Sequence, residues 1–321
     1  DQTRGWFYTL HAVGTIMGKG KAFKNVICLG LVLDANGKKM SKSLGNGVDP
    51  WEMSDKYGVD TLRLWMYSIN QPGEPKNFDE KTVAELNNKF FNLFYNVFAF
   101  YELYRDTKIE INDKPSSKNV LDIWILSKLG ELIKISTENL ENYKLLEPAR
   151  AMRGFIDDLS TWYLRRSRDR IKEGDLEAKK TIYFVFKTMA KLMAPFAPFS
   201  AEDIWQKLKL ENDSMSVHLG EWPEEFAYDD KVIEDMKELR EIVTLGLQNR
   251  QKASIPVRQP LQEITVKKYN LKEEYVSILK DELNIKNVKF EEGQELEVIL
   301  DINITEDLKE IKERWFGLFR T

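Results

Sequence analysis

Apolar residues recur at every third or fourth position over most of this chain, and the departures from that rhythm mark its organisation. From about Phe78 to Arg250 the helical period is nearly continuous. Val83, Leu86, Phe90, Phe94, Val97 and Tyr101 form one stripe, and Trp124, Leu126, Leu129, Leu132 and Ile133 begin another. Leu159, Trp162, Tyr163, Val185, Met189 and Leu192 belong to further helices. Breaks are predicted at Lys114-Pro115-Ser116-Ser117, at Lys172-Glu173-Gly174-Asp175 and from Pro195 to Pro198, where proline or glycine interrupts the pattern. Amphipathic helices with short breaks predict a helical bundle whose aromatic stripes are core.

Before and after the bundle the rhythm changes. "RGWFYTLHAVGTIM" has helical spacing through Trp6, Leu10, Val13 and Met17 and stops at Gly18-Lys19-Gly20. "FKNVICLGLVL" is a β-branched run that suits a buried strand, with Gly30 marking a close backbone approach. Asp49-Pro50 opens a short helix ending at Tyr57-Gly58; Asp60 is expected to cap the next, "TLRLWMYSI", which Gln71-Pro72-Gly73 ends. Strand, glycine-containing loop and helix predict the end of a nucleotide-binding α/β sheet, with too few strands for a whole one. At the other end, "QEITVKKY", "NVKFEE" and "LEVILDIN" read as strands around the helix "KEEYVSILKDEL". The chain is therefore expected to be mostly α, in three parts: an α/β part at 1–77, a helical bundle at 78–250, and a small, incomplete α+β part at 251–321.

Composition narrows the classes. The 321 residues carry 42% hydrophobic and 31% charged side chains, as a globular protein does. Forty-eight basic residues against 52 acidic ones give a net charge of −4, so any polyanion must be held by local patches. The single cysteine, Cys28, excludes a disulfide framework and a zinc-ribbon or zinc-finger site, and fits a reducing, cytoplasmic setting. His11 and His218 have no ligand spacing and read as structural. "FFNLFYNVFAFY" is too short to span a bilayer, and no signal peptide is evident. The opening "DQTRGWFYTL" has no initiator methionine and reads as a segment of a longer chain.

Two stretches concentrate chemistry. "GKKMSKSLGN", Gly37 to Asn46, gathers three lysines, two serines and two glycines in one loop. Such a loop is either a solvated turn or a mobile carrier of ammonium groups toward phosphates. "TWYLRRSRDR", Thr161 to Arg170, sets Arg165, Arg166, Arg168 and Arg170, with Lys172, beside Trp162 and Tyr163. A helical period sends Arg165, Arg168 and Lys172 to one face with Arg166 and Arg170 on its flank. Arginines there answer RNA phosphates and aromatics stack on unpaired bases. The alternative is a solvated face paired with Asp157, Asp158 and Asp169.

"KMSKS", Lys39 to Ser43, follows the apolar run and the turn "LVLDANGK", and in that context it resembles the signature loop of class I aminoacyl-tRNA synthetases. "DQTRGWF", "LDANGKKMSKSLGNGVDP", "YGVDTLRLW", "APFAPFSAEDIWQKL", "SVHLGEWP" and "VRQPL" continue the likeness in order, and "WYLRRSR" makes it a likeness to isoleucyl-tRNA synthetases. The resemblance implies the C-terminal part of a Rossmann-type catalytic domain at 1–77 and an anticodon-binding bundle at 78–250. It implies ATP, accompanied by magnesium, and isoleucine as substrates, tRNA(Ile) as partner, and a monomeric full-length form in the cytoplasm.

The resemblance also implies roles. Lys42 first and Lys39 second would stabilise phosphate charge, with Ser41 and Ser43 shaping the loop and completing the ATP-binding set. Asp1 and Gln2 would face the adenylate, and Trp6 would wall the amino-acid pocket. Trp162, Arg165, Arg166 and Arg168 would bind tRNA. Departures are present too. The His-Ile-Gly-His signature of the class and the editing insertion are absent, Leu29 stands where relatives often carry a polar residue, and the zinc-binding cysteines of some relatives have no counterpart. The last residues, "EDLKEIKERWFGLFRT", match the family weakly. The chain by itself is accordingly expected to be inactive in adenylation and prone to association through an exposed apolar edge. Other readings are a valyl or leucyl relative, against which "WYLRRSR" argues, and a tRNA-binding module without catalysis.

Overall fold

The computed structural model describes residues 4–106, 115–305 and 307–308. They fall into two compact units that interleave along the chain. The first draws on 1–103, 132–162 and 186–223, the second on 104–131, 163–185 and 224–321. Among the described residues, no helix is long and apolar enough to cross a membrane.

The first unit opens with α1 (Trp6–Ile16), a helix as its spacing predicts but with no buried residue. The run from Phe23 to Leu33 departs from the expectation of a buried strand. Only Val32–Leu33 (β1) pairs, in parallel with Lys76–Asn77 (β2), and Val26, Ile27, Leu29 and Leu31 are exposed. Apolar β-branched sequence favours a strand, but backbone partners make one, and β2 offers β1 only two residues. The close approach foreseen at Gly30 is found. Gly30 donates its N–H to the Pro72 carbonyl at 2.8 Å, and a Cβ there would stand 2.1 Å from the Glu74 carbonyl oxygen.

Asp49 caps α2 (Pro50–Tyr57) by accepting the Trp51 N–H at 2.8 Å, and Gly58, at φ 83°, turns the chain into α3 (Val59–Ser68). Asp60 does not cap α3, contrary to expectation. It lies buried inside the first turn and accepts the N–H of Ser200 at 2.6 Å. Ser200 belongs to the first turn of α10 (Pro198–Leu208), which has no capping side chain of its own, so Asp60 satisfies an orphan donor of a different helix.

Between them run α4 (Glu80–Leu86), a π-helical stretch (Asn87–Asn92), α5 (Leu93–Tyr104), α6 (Val120–Glu141), α7 (Leu146–Asp157), a second π-helical stretch (Asp158–Leu164), α8 (Arg165–Lys172) and α9 (Leu176–Met193). The predicted stripe from Val83 to Tyr101 is core to the first unit. Phe186 lies 5.1, 4.9 and 5.9 Å, centroid to centroid, from Phe94, Phe98 and Tyr101, and Trp65, Phe90, Met152 and Leu159 are buried with them. Arg150 on α7 donates to the carbonyls of Ser68 and Ile69 at 3.1 and 2.7 Å, satisfying the end of α3.

The second unit contains α11 (Asp230–Lys252), β3 (Leu261–Lys267), α12 (Glu273–Leu283), β4 (Ile285–Glu291) and β5 (Glu297–Leu300), close to the strands and helix read from sequence. The sheet order is β4-β3-β5, with β3 parallel to β4 and antiparallel to β5. Helix α11 crosses α12 closely at Gly246, where a Cβ would stand 2.5 Å from Leu283 Cδ1. Arg250, 1% exposed, donates to the carbonyls of Pro256, Gln259, Leu283 and Asn284 and so ties the turn after α11 to the end of α12. Burial pulls its guanidinium down to about 10, which leaves it charged at neutral pH.

Candidate functional site

The lysine loop grows out of β1. Asp34 accepts the N–H groups of Asn36 and Lys38 on Oδ1 at 2.9 and 2.8 Å, its own N–H reaches the Lys38 carbonyl at 2.8 Å, and Gly37 turns the chain at φ 76°. Leu33 and Lys39 then face each other across an antiparallel bridge. Beyond the hairpin, Asn46 reaches back. Its Nδ2 donates to Asp34 Oδ2 at 2.8 Å and to the Lys39 carbonyl at 3.3 Å, and its Oδ1 accepts the Ser41 N–H at 2.9 Å. Ser41 Oγ and Ser43 Oγ lie 2.9 Å apart, and Leu44 donates its N–H to Ser41 Oγ at 3.2 Å, closing the single turn Lys42–Leu44. Lys38, Lys39 and Ser43 are exposed.

The Asn46 carboxamide first, and the Lys38 N–H after it, hold the Asp34 carboxyl below the usual carboxylate range. A carboxylate with a depressed pKa stabilises its surroundings above the ordinary carboxylate pKa and loses that contribution as the pH falls through the depressed value. The hairpin therefore keeps its clamp throughout the neutral and mildly acid range. Beside it opens a cleft of about 720 Å³ with Asp34, Asp49, Glu52, Asp79 and Glu80 on its walls. Five carboxylates against Lys81 make that cleft hostile to a polyphosphate.

Of the residues expected at the adenylate, Asp1 and Gln2 lie outside the described residues. Trp6 begins α1, is 59% exposed and meets Phe7 edge-on with centroids 5.4 Å apart. Leu29 is exposed as well. His218 has its Nε2 3.3 Å from the Pro198 carbonyl. Among the described residues, no group of three or more His, Cys, Asp or Glu could hold a metal ion.

The basic run divides. Trp162 belongs to the first unit and is half-buried; the arginines of α8 belong to the second. Arg165, Arg168 and Lys172 are exposed and Arg166 and Arg170 half-buried, the face and flank that the helical period separates. Three of the arginines find acidic partners far from Asp157, Asp158 and Asp169. Arg166 pairs with Asp281 at 2.7 Å and Glu282 at 3.1 Å, and Arg165 with Glu282 at 2.8 Å. Asp281 and Glu282 stand in the last turn of α12, where the helix dipole disfavours carboxylates, so the arginines supply the missing positive charge. Arg170 grips the buried Asp122 with both terminal nitrogens, at 3.2 and 2.9 Å, and reaches Asp175 at 2.9 Å through Nε. Lys172 does meet one of the nearby acids, Asp169, at 3.6 Å.

Sequence reasoning left two contributors unassigned. Asp34 could have been found, because Asp-Ala-Asn-Gly is the sequence of a turn closed by its first side chain. Asn46 could not, because a local pattern does not link it to a carboxylate 12 positions earlier.

Comparison with known proteins gives the same ordering of parts. Residues 1–79 match the model of class I tRNA synthetases for I, L, M and V, and residues 122–265 match the anticodon-binding domain of tRNA ligases. The isoleucine–tRNA ligase of Clostridium novyi (strain NT) is 42% identical over 96% of this chain and 31% of its own length. That of Clostridium tetani is 40% identical with the same coverage, and that of Deinococcus radiodurans 39% identical over 91% of this chain and 28% of its own. The chain thus spans about a third of the length of the curated relatives it matches. A crystal structure of an Agrobacterium radiobacter K84 LeuRS, in a ternary complex with tRNA and LeuAMS, superposes with a TM-score of 0.53 at 20% identity, covering 70% of this chain and 27% of that one, a likeness of fold. A KMSKS loop on a hairpin, a helical bundle following it in the chain and chain-long identity to these ligases place this chain in the isoleucyl-tRNA synthetase family of class I aminoacyl-tRNA synthetases.

Proposed function

We propose that this chain is the part of an isoleucine–tRNA ligase that supplies the phosphate-stabilising loop and the anticodon-binding bundle. The observation that carries the reading is the hairpin-held Lys39–Ser43 loop within the stretch matched by the class I synthetase family. In the reaction, an isoleucine carboxylate oxygen attacks the α-phosphorus of ATP, the bond to pyrophosphate breaks, and isoleucyl-adenylate forms. A ribose hydroxyl of tRNA(Ile) then takes the isoleucyl group and AMP leaves. Lys42 and Lys39 bring ammonium groups to the charge that builds on the phosphates, while Ser41 and Ser43 shape the loop that carries them. Magnesium enters with ATP as part of the substrate. Residues 1–77 complete a catalytic domain, 78–250 bind the anticodon arm, 251–321 form the small α+β part, and the full-length protein works as a cytoplasmic monomer.

Isoleucine-dependent exchange of pyrophosphate into ATP by the full-length protein, with valine and leucine as competitors, tests the reading. Equal exchange with valine or leucine would assign it to a neighbouring specificity, and no exchange with any of them would leave only a tRNA-binding module.

The exposed face of α8 is the proposed RNA-binding surface. Replacing Arg165 and Arg168 together with alanine is expected to weaken tRNA binding and to lower the slope of log K against log salt by roughly 1–2, about 0.7–0.9 for each phosphate no longer neutralised. Helix content should stay unchanged, because both side chains are exposed. Filter binding at several salt concentrations measures this; an unchanged affinity and slope would return the face to solvent.

A further inference from the structure

We infer that Asn46 is the positioning residue of the lysine loop, acting on the reaction through the backbone that carries Lys39 and Lys42. The inference rests on the ligase reading for its catalytic consequence and on geometry alone for its structural one. Three of the carboxamide's four hydrogen-bonding capacities are used, and each partner lies on a different part of the loop. Asp34 Oδ2 belongs to the hairpin, the Lys39 carbonyl to the start of the loop, and the Ser41 N–H to its middle. The orientation of the amide is dictated by chemistry: an ionised carboxylate only accepts and a backbone N–H only donates, so Nδ2 must face Asp34 and Oδ1 must face Ser41.

Asp34 is itself anchored by two backbone N–H groups of its turn. Asn46 therefore joins a rigid hairpin to the segment that must deliver ammonium groups to phosphate, across a separation of 12 residues. Without that bridge, Lys39 to Ser43 would hang from the hairpin at one end and from α2 at the other. Catalysis by fixed charge depends on direction, and a displacement of about 1 Å can cost on the order of 10²-fold in rate.

The pair can be exchanged. Asn46→Asp sets two carboxylates against each other and removes the donor, while Asp34→Asn leaves two carboxamides that match imperfectly. In the double variant Asp34→Asn/Asn46→Asp, the carboxamide at 34 donates to the carboxylate at 46. That carboxylate still accepts from Ser41, and the carboxamide oxygen at 34 still accepts from Asn36 and Lys38. The longest bond, to the Lys39 carbonyl at 3.3 Å, is lost, and a carboxylate oxygen faces that carbonyl in its place.

In the full-length synthetase, Asn46→Asp is expected to lower kcat for isoleucine-dependent pyrophosphate exchange by about 10- to 100-fold, with the KM for isoleucine unchanged. The double variant should recover most of that loss. Hydrogen exchange of the same proteins, read on peptides covering 34–48, should show the Ser41 region opening faster by up to about tenfold in Asn46→Asp and returning toward the parent in the double variant. Parent-like kcat in Asn46→Asp, or no rescue by the exchange of the pair, overturns the positioning role. If the parent shows no exchange activity the ligase reading falls, and the hydrogen-exchange pattern alone then decides whether Asn46 holds the loop.

Discussion

In the full-length enzyme, Lys42→Ala is expected to slow formation of isoleucyl-adenylate by about 10² to 10³, the scale for removing one preorganised charge-stabilising group. That factor corresponds to about 3–4 kcal/mol of transition-state stabilisation. Ground-state ATP already carries hydrated phosphate charge, whereas the transition state develops more of it on the oxygens about the α-phosphorus and on the departing pyrophosphate. An ammonium delivered by a loop acts on the difference, so the dissociation constant for ATP should rise far less than the rate falls. Lys39→Ala should show a smaller loss, since Lys39 sits at the base of the loop where its backbone bridges to Leu33. Rapid-quench measurement of the first turnover separates rate from affinity. Equal losses in both would mean that Lys42 only holds ATP, and no loss would make the loop an ordinary solvated turn.

The second large effect concerns stability. Asp122→Ala is expected to destabilise the second unit by about 3 kcal/mol, the low end for breaking a buried ion pair, because the half-buried Arg170 keeps its bond to Asp175. Asp122 is 0% exposed and accepts from four directions: both Arg170 terminal nitrogens, the Tyr163 hydroxyl at 2.9 Å and the Ser117 hydroxyl at 2.6 Å. Burial first, and the adjoining Asp122 carboxylate after it, push the Tyr163 hydroxyl well above its usual range, so it is a donor at neutral pH. Truncating Asp122 strands both terminal nitrogens of Arg170 and two hydroxyls together, and leaves the guanidinium only Asp175. Replacing Asp122 and Arg170 at once with apolar residues of similar volume should recover part of the loss, because no guanidinium is then left facing an empty site, while the Tyr163 and Ser117 hydroxyls still lack their acceptor. Arg165→Ala should cost no more than about 1 kcal/mol, because Arg165 is itself half exposed and the buried Glu282 keeps its pair with Arg166. Urea unfolding of the variants distinguishes these outcomes, and parity between Asp122→Ala and Arg165→Ala would refute the ranking.

The same contrast explains what the sequence could and could not disclose. Stripes such as Val83, Phe90, Phe94 and Val97 announce their burial because helix period and core are one fact. The C-terminal strands were legible from alternation and the bounding helix. The partners of the basic run were not. Arg166 meets Asp281 across 115 positions, although local spacing offered nearer acids. Asp60 misled for a related reason: a carboxylate at a helix start reads as a cap, yet this one caps another helix through Ser200. The run Phe23 to Leu33 looked like a strand because its composition favours one, whereas pairing is a property of neighbours. For the loop, "KMSKS" located the lysines, but the device that aims their backbone, Asp34 with Asn46, emerged only from the fold.

The π-helical stretch Asp158–Leu164 bears on how this family can change its length. A π turn accommodates one residue more than an α turn between the same two helical ends. Losing a single residue there would let the stretch relax to α geometry without breaking the helix. The same loss inside α8 would rotate everything after it by about 100° and carry Arg170 away from Asp122. Deletion of one residue is thus expected to be tolerated at Asp158–Leu164, and by the same geometry at Asn87–Asn92, but not a few positions to either side. Homologues of unequal length should differ at these two places while presenting the same arginines on the same face.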